Sequence, residues 1–267
     1  MSDNNILARF LTLVEIAPPV SADLQTLQAL HQAYPSIIPF ENIEVLLGRP
    51  LSIEIDAIAE KMLDKRRGGY CFEHNLLFKA VLEEAGFEVT PHLARVVWGM
   101  DKPAATPQTH MLLIVNISGI RYLADVGFGG VSLTAPQRLV EGEQNGFVLE
   151  RTGSQSWLMS VNAGGTRRLM YSVDERPCQQ ADILVASHFV ATHPESIFRH
   201  HLMMAKIIDG AQVNLFDRGI TTYRGEQKQE VKAESFETFC ALLSPFFAGK
   251  EVLSKEDLRA LFEKTAG

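Results

Sequence analysis

The sequence predicts an α+β fold of three parts that pack together, because the apolar periodicity changes twice along the chain. Residues 1–86 carry apolar side chains at helical spacing, and residues 87–198 are mainly short strands that end in one helix. Residues 199–267 return to a mixture of strands and helices. No linker is long enough to separate these parts, so we expect them to form one packed unit.

Composition and charge narrow the class of protein. The 267 residues are 46% apolar and 21% charged, which suits a chain with a sizeable core and excludes a disordered or fibrous protein. The 25 basic and 32 acidic residues give a formal charge of −7, which opposes attraction to nucleic acid or anionic membranes. We therefore expect neither nucleic acid nor a membrane as a partner.

The cysteines and the N-terminal residues predict a cytoplasmic location. Cys71, Cys178 and Cys240 are odd in number and far apart, which indicates free thiols in a reducing compartment. The first ten residues, MSDNNILARF, do not resemble a secretory signal. No stretch approaches the roughly 20 apolar residues that a membrane-spanning helix needs.

Four helices are predicted in the N-terminal part, which is therefore expected to be a helical bundle. Residues 6–14 have helical spacing, and Pro18-Pro19 should stop that helix. Asp23 is a suitable N-cap for the second helix. The third starts near Ser52, and the fourth covers residues 71–86, where Gly86 favours a helix end.

The central part contains a clear hairpin among several short strands. Residues 110–117 and 120–126 flank Ser118-Gly119, a two-residue turn. Because no helix interrupts the run of strands, an antiparallel sheet or small barrel is expected. The remaining elements are strands at 89–97, 146–152, 156–162 and 167–173 and a helix at 180–191.

The C-terminal part begins with a second predicted hairpin. Residues 202–208 and 213–216 pair across Asp209-Gly210, and residues 220–223 add a third strand. Two helices close the chain, with starts near Glu234 and after Ser254.

The densest chemical signal is the segment 67–75, RGGYCFEHN. Its two glycines allow a sharp turn and place Cys71 at or near a helix N-terminus, where backbone N–H groups and the helix dipole favour a thiolate. Arg66 and Arg67 act in the same direction. The alternative is that Cys71 is a small buried core residue, the usual fate of a free cysteine.

A nucleophilic cysteine needs a base and a carboxylate, and the central hairpin offers both. If Ser118-Gly119 is the turn, position 110 pairs with position 127, so Asp125 lies diagonally from His110 on the same face of the sheet. The predicted constellation is therefore Cys71, His110 and Asp125.

The other histidines are weaker candidates. His74 competes as the base because it lies three residues after Cys71 on the predicted helix, but only Glu73 is near it and faces elsewhere. His200-His201 has no spaced partner, and neither CxxC nor HExxH occurs. No metal site is expected.

Two glycine- or aromatic-containing segments are candidates for lining the site. Gly127–Gly130 is an ordinary strand-ending turn on its spacing alone. Beside the three candidate residues, it becomes a wall to which a ligand can come close, with Phe128 as an aromatic face. In the segment 39–42, PFEN, Glu41 is expected to pair with Arg67 as a structural contact, and Phe40 is either core or pocket.

Together these motifs resemble the arylamine N-acetyltransferase family. The resemblance covers nearly the whole chain, is weaker at His193–Phe198, and matches little after about residue 200. The motifs that carry it are Pro39-Phe-Glu-Asn42, Arg67-Gly-Gly-Tyr-Cys-Phe-Glu73, Thr109-His110-Met111 and Asp125-Val-Gly-Phe-Gly129.

The resemblance implies a cysteine-protease-like arrangement in an N-terminal helical bundle, a central antiparallel β-barrel and a C-terminal α/β lid. Cys71 would be the nucleophile, His110 the base and Asp125 the orienting carboxylate. Acetyl-CoA would acetylate the cysteine and CoA would leave. An arylamine, arylhydrazine or N-hydroxyarylamine would then take the acetyl group in the second half of a ping-pong reaction.

The same resemblance implies the binding residues. Phe40, Val97 and Phe128 would line the acceptor pocket, and Thr109 and Gly129 would touch the pantetheine arm of CoA. Acetyl-CoA would serve as co-substrate, without a metal or a bound prosthetic group. The protein would be a monomer or a homodimer.

Three other interpretations remain open from the sequence. A thiol hydrolase could use the same three residues with water as acceptor. A related amide synthase would close an aromatic macrolactam from another thioester donor. A non-catalytic protein could keep the scaffold to bind CoA or an aromatic compound.

Overall fold

The three predicted parts pack against one another in a computed structural model that describes residues 5–163, 166–225 and 227–265. One apolar cluster contains Phe10 from the first part, Val115 from the second and Ala205 from the third. Residues 1–4, which begin the first predicted part, and residues 266–267, which end the third, lie outside the described residues.

The N-terminal part is helical and contains one short strand. The Asp23 carboxylate caps the second helix by accepting from the Thr26 backbone N–H at 2.8 Å, as the sequence predicts. The elements are α1 (Ile6–Val14), α2 (Leu24–Ile37), β1 (Phe40–Glu41), α3 (Ile43–Leu46), α4 (Ile55–Ala59) and α5 (Cys71–Glu84).

Two of these helices differ from the prediction. Helix α1 ends at Val14, well before Pro18, because Glu15 adopts the left-handed conformation with φ of 58° and caps the helix. Helix α4 begins at Ile55, later than predicted, and continues as a π-helical turn over Glu60–Asp64.

The central part is an eight-stranded antiparallel sheet that nearly closes into a barrel, as predicted. Its edge strands β5 and β6 are joined by the Gln144 side-chain amide, which donates to the Arg138 carbonyl and accepts from the Arg138 N–H, both at 2.8 Å. The strands are β2 (Glu88–Val96), β3 (Gln108–Ile117), β4 (Ile120–Ala124), β5 (Gln137–Arg138), β6 (Gly142–Gln144), β7 (Phe147–Gly153), β8 (Ser156–Ala163) and β9 (Thr166–Asp174), in the order β5-β4-β3-β2-β9-β8-β7-β6.

The β3–β4 hairpin has the register that the sequence predicts. Ile117 pairs with Ile120 across the turn, and Ser118 and Gly119 have φ of 51° and 82°. Positive φ at both turn positions matches the right-handed twist of the flanking strands. The turn therefore sets which residues of β3 and β4 share a face.

The C-terminal part is a five-stranded antiparallel sheet with helices packed on one face. The sequence predicts neither of its edge strands. Strand β13 is a run of exposed, mostly charged or amide side chains, which suits an unpaired sheet edge, and β1 has only two residues. The elements are α6 (Gln180–Thr192), which precedes the sheet, β10 (Met203–Ile208), β11 (Ala211–Phe216), β12 (Gly219–Arg224), β13 (Gln227–Lys232), α7 (Phe236–Leu243) and α8 (Lys255–Lys264).

Strand β1 joins the N-terminal part to the C-terminal sheet by pairing with β10. The next residue, Asn42, donates to the carbonyls of Phe198 and His201 at 2.8 Å and accepts from the Met203 N–H at 2.7 Å. The side chain of Asn42 thus holds the chain where it enters the third part. Across the described ranges, no helix has the length and apolar character needed to cross a membrane.

A buried ion pair stabilises this junction. Arg67 donates to Glu41 Oε1 from Nε at 3.0 Å and from Nη2 at 2.8 Å, and its Nη1 lies 2.9 Å from Glu44. Burial alone would raise the pKa of Glu41, but Arg67 together with Lys61 and the Ile43 N–H outweighs burial and lowers it. The side chains of Arg67 and Glu41 are only 10% and 0% exposed. Each charge therefore depends on the other for compensation.

We expect Arg67→Ala to lower the free energy of unfolding by about 3–5 kcal/mol, because it leaves the Glu41 carboxylate buried without its main partner. Urea denaturation followed by circular dichroism measures this change. The matched control is Lys65→Ala, which breaks the exposed pair with Glu60 and should cost no more than about 1 kcal/mol. Equal costs for the two variants would contradict the prediction.

Candidate active site

Cys71 is the first residue of helix α5, where the sequence places it. The carboxylate of Glu73 accepts from the Tyr70 N–H at 3.1 Å, and Lys61 Nζ lies 2.8 Å from the same carboxylate. These contacts stabilise the first turn of α5. Cys71 is 3% exposed as a residue, and its sulfur lies 3.7 Å from the carbonyl oxygen of Thr109 on β3. The sulfur therefore faces the barrel strand that carries His110.

His110 and Asp125 form a buried pair at the open end of the β3–β4 hairpin. His110 Nε2 lies 2.7 Å from Asp125 Oδ2, and both side chains are buried. Asp125 also accepts from the Gly127 N–H at 2.9 Å. Because Nε2 is bound to Asp125, Nδ1 is the nitrogen that is left for Cys71.

The electrostatics of this pair favour an imidazolium. Burial alone would lower the pKa of His110, but interactions with Asp125 and Cys71 outweigh it and raise the pKa to about 10. Burial would raise the pKa of Asp125, but His110 and the donors around the carboxylate lower it. At neutral pH the site therefore holds a carboxylate and an imidazolium beside the Cys71 sulfur at a helix N-terminus.

Asn75 is a site residue that the sequence analysis does not single out. Its amide nitrogen lies 3.2 Å from the Cys71 carbonyl, 2.7 Å from the Met111 carbonyl and 3.2 Å from Asp125 Oδ1. Asn75 Oδ1 accepts from the Val126 N–H at 3.3 Å. Its spacing of four residues from Cys71 places both on one helix face, which is the only sequence signal for this role.

Two more residues reach the pair from distant elements. His31 on α2 accepts the Asp125 N–H at Nε2, at 3.2 Å, and burial lowers the pKa of His31 to about 4, so its ring is neutral. Tyr171 on β9 places its ring 5.1 Å from the His110 ring, and burial raises the pKa of its hydroxyl well above the usual value. No local pattern in the sequence connects these residues with the pair.

His74, the competing base, lies in a separate hydrogen-bond network. Its Nε2 lies 3.2 Å from the Pro39 carbonyl oxygen and therefore donates, so that Nδ1 accepts from the Tyr34 hydroxyl, also at 3.2 Å. Burial lowers the pKa of His74 to about 4. This ring is therefore neutral, and both of its nitrogens are occupied. In the described part of the chain, no group of three His, Cys, Asp or Glu side chains could hold a metal ion.

The predicted aromatic wall lies beside the buried pair. The Phe128 ring is 5.3 Å from the His110 ring, and the Trp98 ring is 6.1 Å from Phe128. Val97 is fully buried, whereas its neighbour Trp98 is 40% exposed. Trp98 therefore extends the aromatic surface outward, a role that the sequence analysis does not assign to it.

Gly129, the residue after Phe128, lies against the Phe40 ring. Gly129 has φ of 90°, and a Cβ there would lie 3.2 Å from the Phe40 ring. The Phe40 ring also stacks on His74 at 6.0 Å. A Cβ on Gly127 would lie 3.0 Å from the Cys71 carbonyl oxygen. Glycines at 127 and 129 thus allow the loop after Asp125 to run close to helix α5 and to β1.

We expect Asp125→Asn to lower the pKa of His110 by about 1–3 pH units, because a neutral amide no longer favours the imidazolium. Nuclear magnetic resonance of ring-labelled histidine measures the titration. The control is Asp217→Asn, which removes the partner of the half-exposed His201 and should leave His110 unchanged. A His110 titration unaltered by Asp125→Asn would contradict the assigned cause.

The same pair makes stability depend on pH. Because the pKa of His110 is raised from 6.5 to about 10, its stabilising contribution is complete below pH 6.5 and is lost as pH rises through 10. The difference in free energy of unfolding between the parent protein and His110→Gln should therefore shrink between pH 6.5 and 10. Urea denaturation across this range tests it, and a difference that is constant or grows would oppose this assignment.

Comparisons with known proteins agree with this architecture. The family model described as N-acetyltransferase matches residues 23–248. The arylamine N-acetyltransferase of Mycolicibacterium smegmatis is 38% identical over 238 residues, which are 86% of each chain. The arylamine N-acetyltransferase / N-hydroxyarylamine O-acetyltransferase of Salmonella typhimurium is 35% identical over 251 residues, covering 91% of this chain and 88% of the relative.

Solved structures match over nearly the whole length. The arylamine N-acetyltransferase of Mycobacterium marinum has a TM-score of 0.91 at 33% identity, with 98% of this chain and 100% of that chain covered. The structure of the same enzyme in complex with CoA has a TM-score of 0.89 at 33% identity, covering 97% and 99%. With the family model and these relatives in agreement, the chain belongs to the arylamine N-acetyltransferase family.

Proposed function

We propose that the protein transfers an acetyl group from acetyl-CoA to arylamines, arylhydrazines or N-hydroxyarylamines through an acetyl-cysteine intermediate. The observation that carries this proposal is the first residue of α5, Cys71, beside the buried His110–Asp125 pair. Membership of the family and the CoA complex of the Mycobacterium marinum relative support acetyl-CoA as donor. The relatives named arylamine N-acetyltransferase support the acceptor class.

In the first half-reaction, the Cys71 thiolate attacks the carbonyl carbon of the thioester. The Cys71 backbone N–H, at the N-terminus of α5, is our candidate donor to the oxyanion. When the C–S bond to CoA breaks, the leaving thiolate takes the proton of the His110 imidazolium. Acetyl-Cys71, a neutral His110 and CoA with a free thiol result.

In the second half-reaction, the acceptor nitrogen attacks the acetyl carbon of acetyl-Cys71. Neutral His110 takes the proton that the nitrogen loses, and the C–S bond breaks to regenerate the thiolate–imidazolium pair. Asp125 orients the ring throughout and stabilises the positive charge whenever the ring is protonated. An N-hydroxyarylamine can react through its hydroxyl oxygen instead, an activity that appears in the name of the Salmonella typhimurium relative.

The surroundings of Cys71 suit an aromatic acceptor. We assign Phe40, Val97 and Phe128 to the acceptor pocket, because Phe128 lies against His110 and Phe40 against the loop that follows Asp125. We assign Thr109 and Gly129 to the pantetheine arm, because Thr109 O is close to the sulfur and Gly129 lies in the loop that follows Asp125.

The three parts of the chain contribute differently to the proposed reaction. We propose residues 1–86, 87–198 and 199–267 as the structural units, of which the first supplies the nucleophile and the second the base and carboxylate. A reducing compartment such as the cytoplasm suits a mechanism that needs Cys71 as a free thiol, and all three cysteines are free. As partners we propose only the donor and acceptor, with a monomer or homodimer as the assembly.

The decisive experiment is to mix the purified protein with acetyl-CoA without an acceptor and to measure the intact mass and a peptide map. We expect one acetyl group on Cys71, which an arylamine then discharges, because the thioester intermediate has no other acceptor. Cys71→Ala should lose both acetylation and turnover while keeping the fold.

Cys178→Ala is the matched control. Burial raises the pKa of the Cys178 thiol to about 11, so this thiol stays protonated and its removal should leave acetylation unchanged. No acetyl group on the parent protein, despite a reactive Cys71, would reject acetyl-CoA as the donor. Hydrolysis without an acceptor would favour the thiol hydrolase instead.

A further inference from the structure

The loop from Gly127 to Ser132, here named the acceptor loop, begins in contact with helix α5. A Cβ on Gly127 would lie 2.8 Å from the amide nitrogen of Asn75 and 3.0 Å from the Cys71 backbone. The space next to Gly127 is therefore filled by helix α5. The Phe128 side chain packs against the rings of His110 and Tyr171.

The outer end of the acceptor loop is held by two amide side chains of the C-terminal sheet. Asn214 Nδ2 donates to the Gly130 carbonyl at 2.6 Å, and the Ser132 N–H donates to Gln212 Oε1 at 3.1 Å. Gln212 Nε2 in turn donates to Asn214 Oδ1 at 2.6 Å. The two amides thus bind each other as well as the loop.

Strand geometry explains why this pair can act together. Gln212 and Asn214 are two residues apart on β11, so their side chains project from the same face of the sheet. Each amide donates through its nitrogen and accepts through its oxygen, and all four functions are needed in the order observed. A carboxylate at position 214 could not donate to the Gly130 carbonyl.

We propose that Gln212 and Asn214 are positioning residues that set the place of Phe128 beside His110 and thereby decide which aromatic acceptors fit. Neither amide is placed in the triad, and they act through the acceptor loop. The assignment of acceptor size to these residues rests on the proposed acetyl transfer, whereas the positioning of Phe128 does not.

The polarity of the contacts separates this role from simple space filling. Asn214→Asp keeps the size and shape of the side chain but replaces the donor to Gly130 with a carboxylate oxygen. Asn214→Asp and Asn214→Ala should therefore have the same effect on the acceptor loop. A purely structural role of side-chain volume would instead spare Asn214→Asp.

The first test does not require acetyl transfer. It compares the rates at which iodoacetamide and its N-phenyl derivative alkylate Cys71 in the parent protein, Asn214→Ala, Asn214→Asp and Asn162→Ala. We expect the ratio of the two rates to change by about threefold or more in both Asn214 variants, because the wall beside the sulfur is released. Asn162→Ala, which removes an exposed amide that binds Glu143 on the barrel, should match the parent.

The second test measures the two half-reactions separately. In both Asn214 variants, we expect the KM for a single-ring arylamine to rise about fivefold or more, a larger factor than the fall in the rate constant of Cys71 acetylation by acetyl-CoA. The KM for two-ring arylamines should rise by a smaller factor, because a released acceptor loop leaves more room for the second ring.

The outcomes distinguish the two proposals. An unchanged alkylation ratio in variants with a parent-like thermal unfolding midpoint would overturn the positioning role, whether or not the protein transfers acetyl groups. Failure of the parent protein to become acetylated, together with a changed alkylation ratio, would reject acetyl transfer and retain the positioning of Phe128. An Asn214→Asp variant that behaves like the parent would also overturn the positioning role.

Discussion

The buried ion pair between His110 and Asp125 is the interaction on which the rest of the site depends. Two charges that are removed from water are tolerated only if each is compensated and the remaining hydrogen-bond positions are filled. Asn75 and the Gly127 N–H fill positions on the carboxylate, and His31 accepts the backbone N–H of Asp125. Helix α5, which carries Cys71, the barrel and α2 therefore all contact the same ion pair. This pair keeps an imidazolium next to the Cys71 sulfur.

The same ion pair brings all three parts of the chain together at one small site. Cys71 lies at a helix start, and His110 and Asp125 come from a hairpin whose turn determines their shared face. The loop that leaves Asp125 must pass close to both, which is possible because glycine occupies positions 127 and 129. The C-terminal sheet then holds the far end of that loop and takes in β1, which carries Phe40. A displacement of any part would move a wall of the pocket.

Much of this arrangement follows from local patterns. Helical spacing and the Asp23 cap predict α2, and the two-residue turn at Ser118-Gly119 predicts the register that brings His110 and Asp125 to one face. Other elements have no such signal. Strand β1 has only two residues and forms by pairing with β10 and Gly69, and the polar edge strand β13 has no apolar alternation. Likewise Glu15 ended α1 before the prolines by adopting a conformation that is uncommon outside glycine.

The sequence by itself determined the chemistry-bearing residue types and their local setting: a cysteine after two glycines at a helix start, and a histidine and an aspartate on facing strands of one tight hairpin. These features depend on interactions between neighbours in the chain, which periodicity and turn geometry describe. Only the tertiary structure decided that His31, Tyr171 and Asn214 converge on the same site, and that His74 is occupied elsewhere. These contacts join residues that are between 35 and 94 positions apart, and the packing of the three parts against one another decides which residues meet.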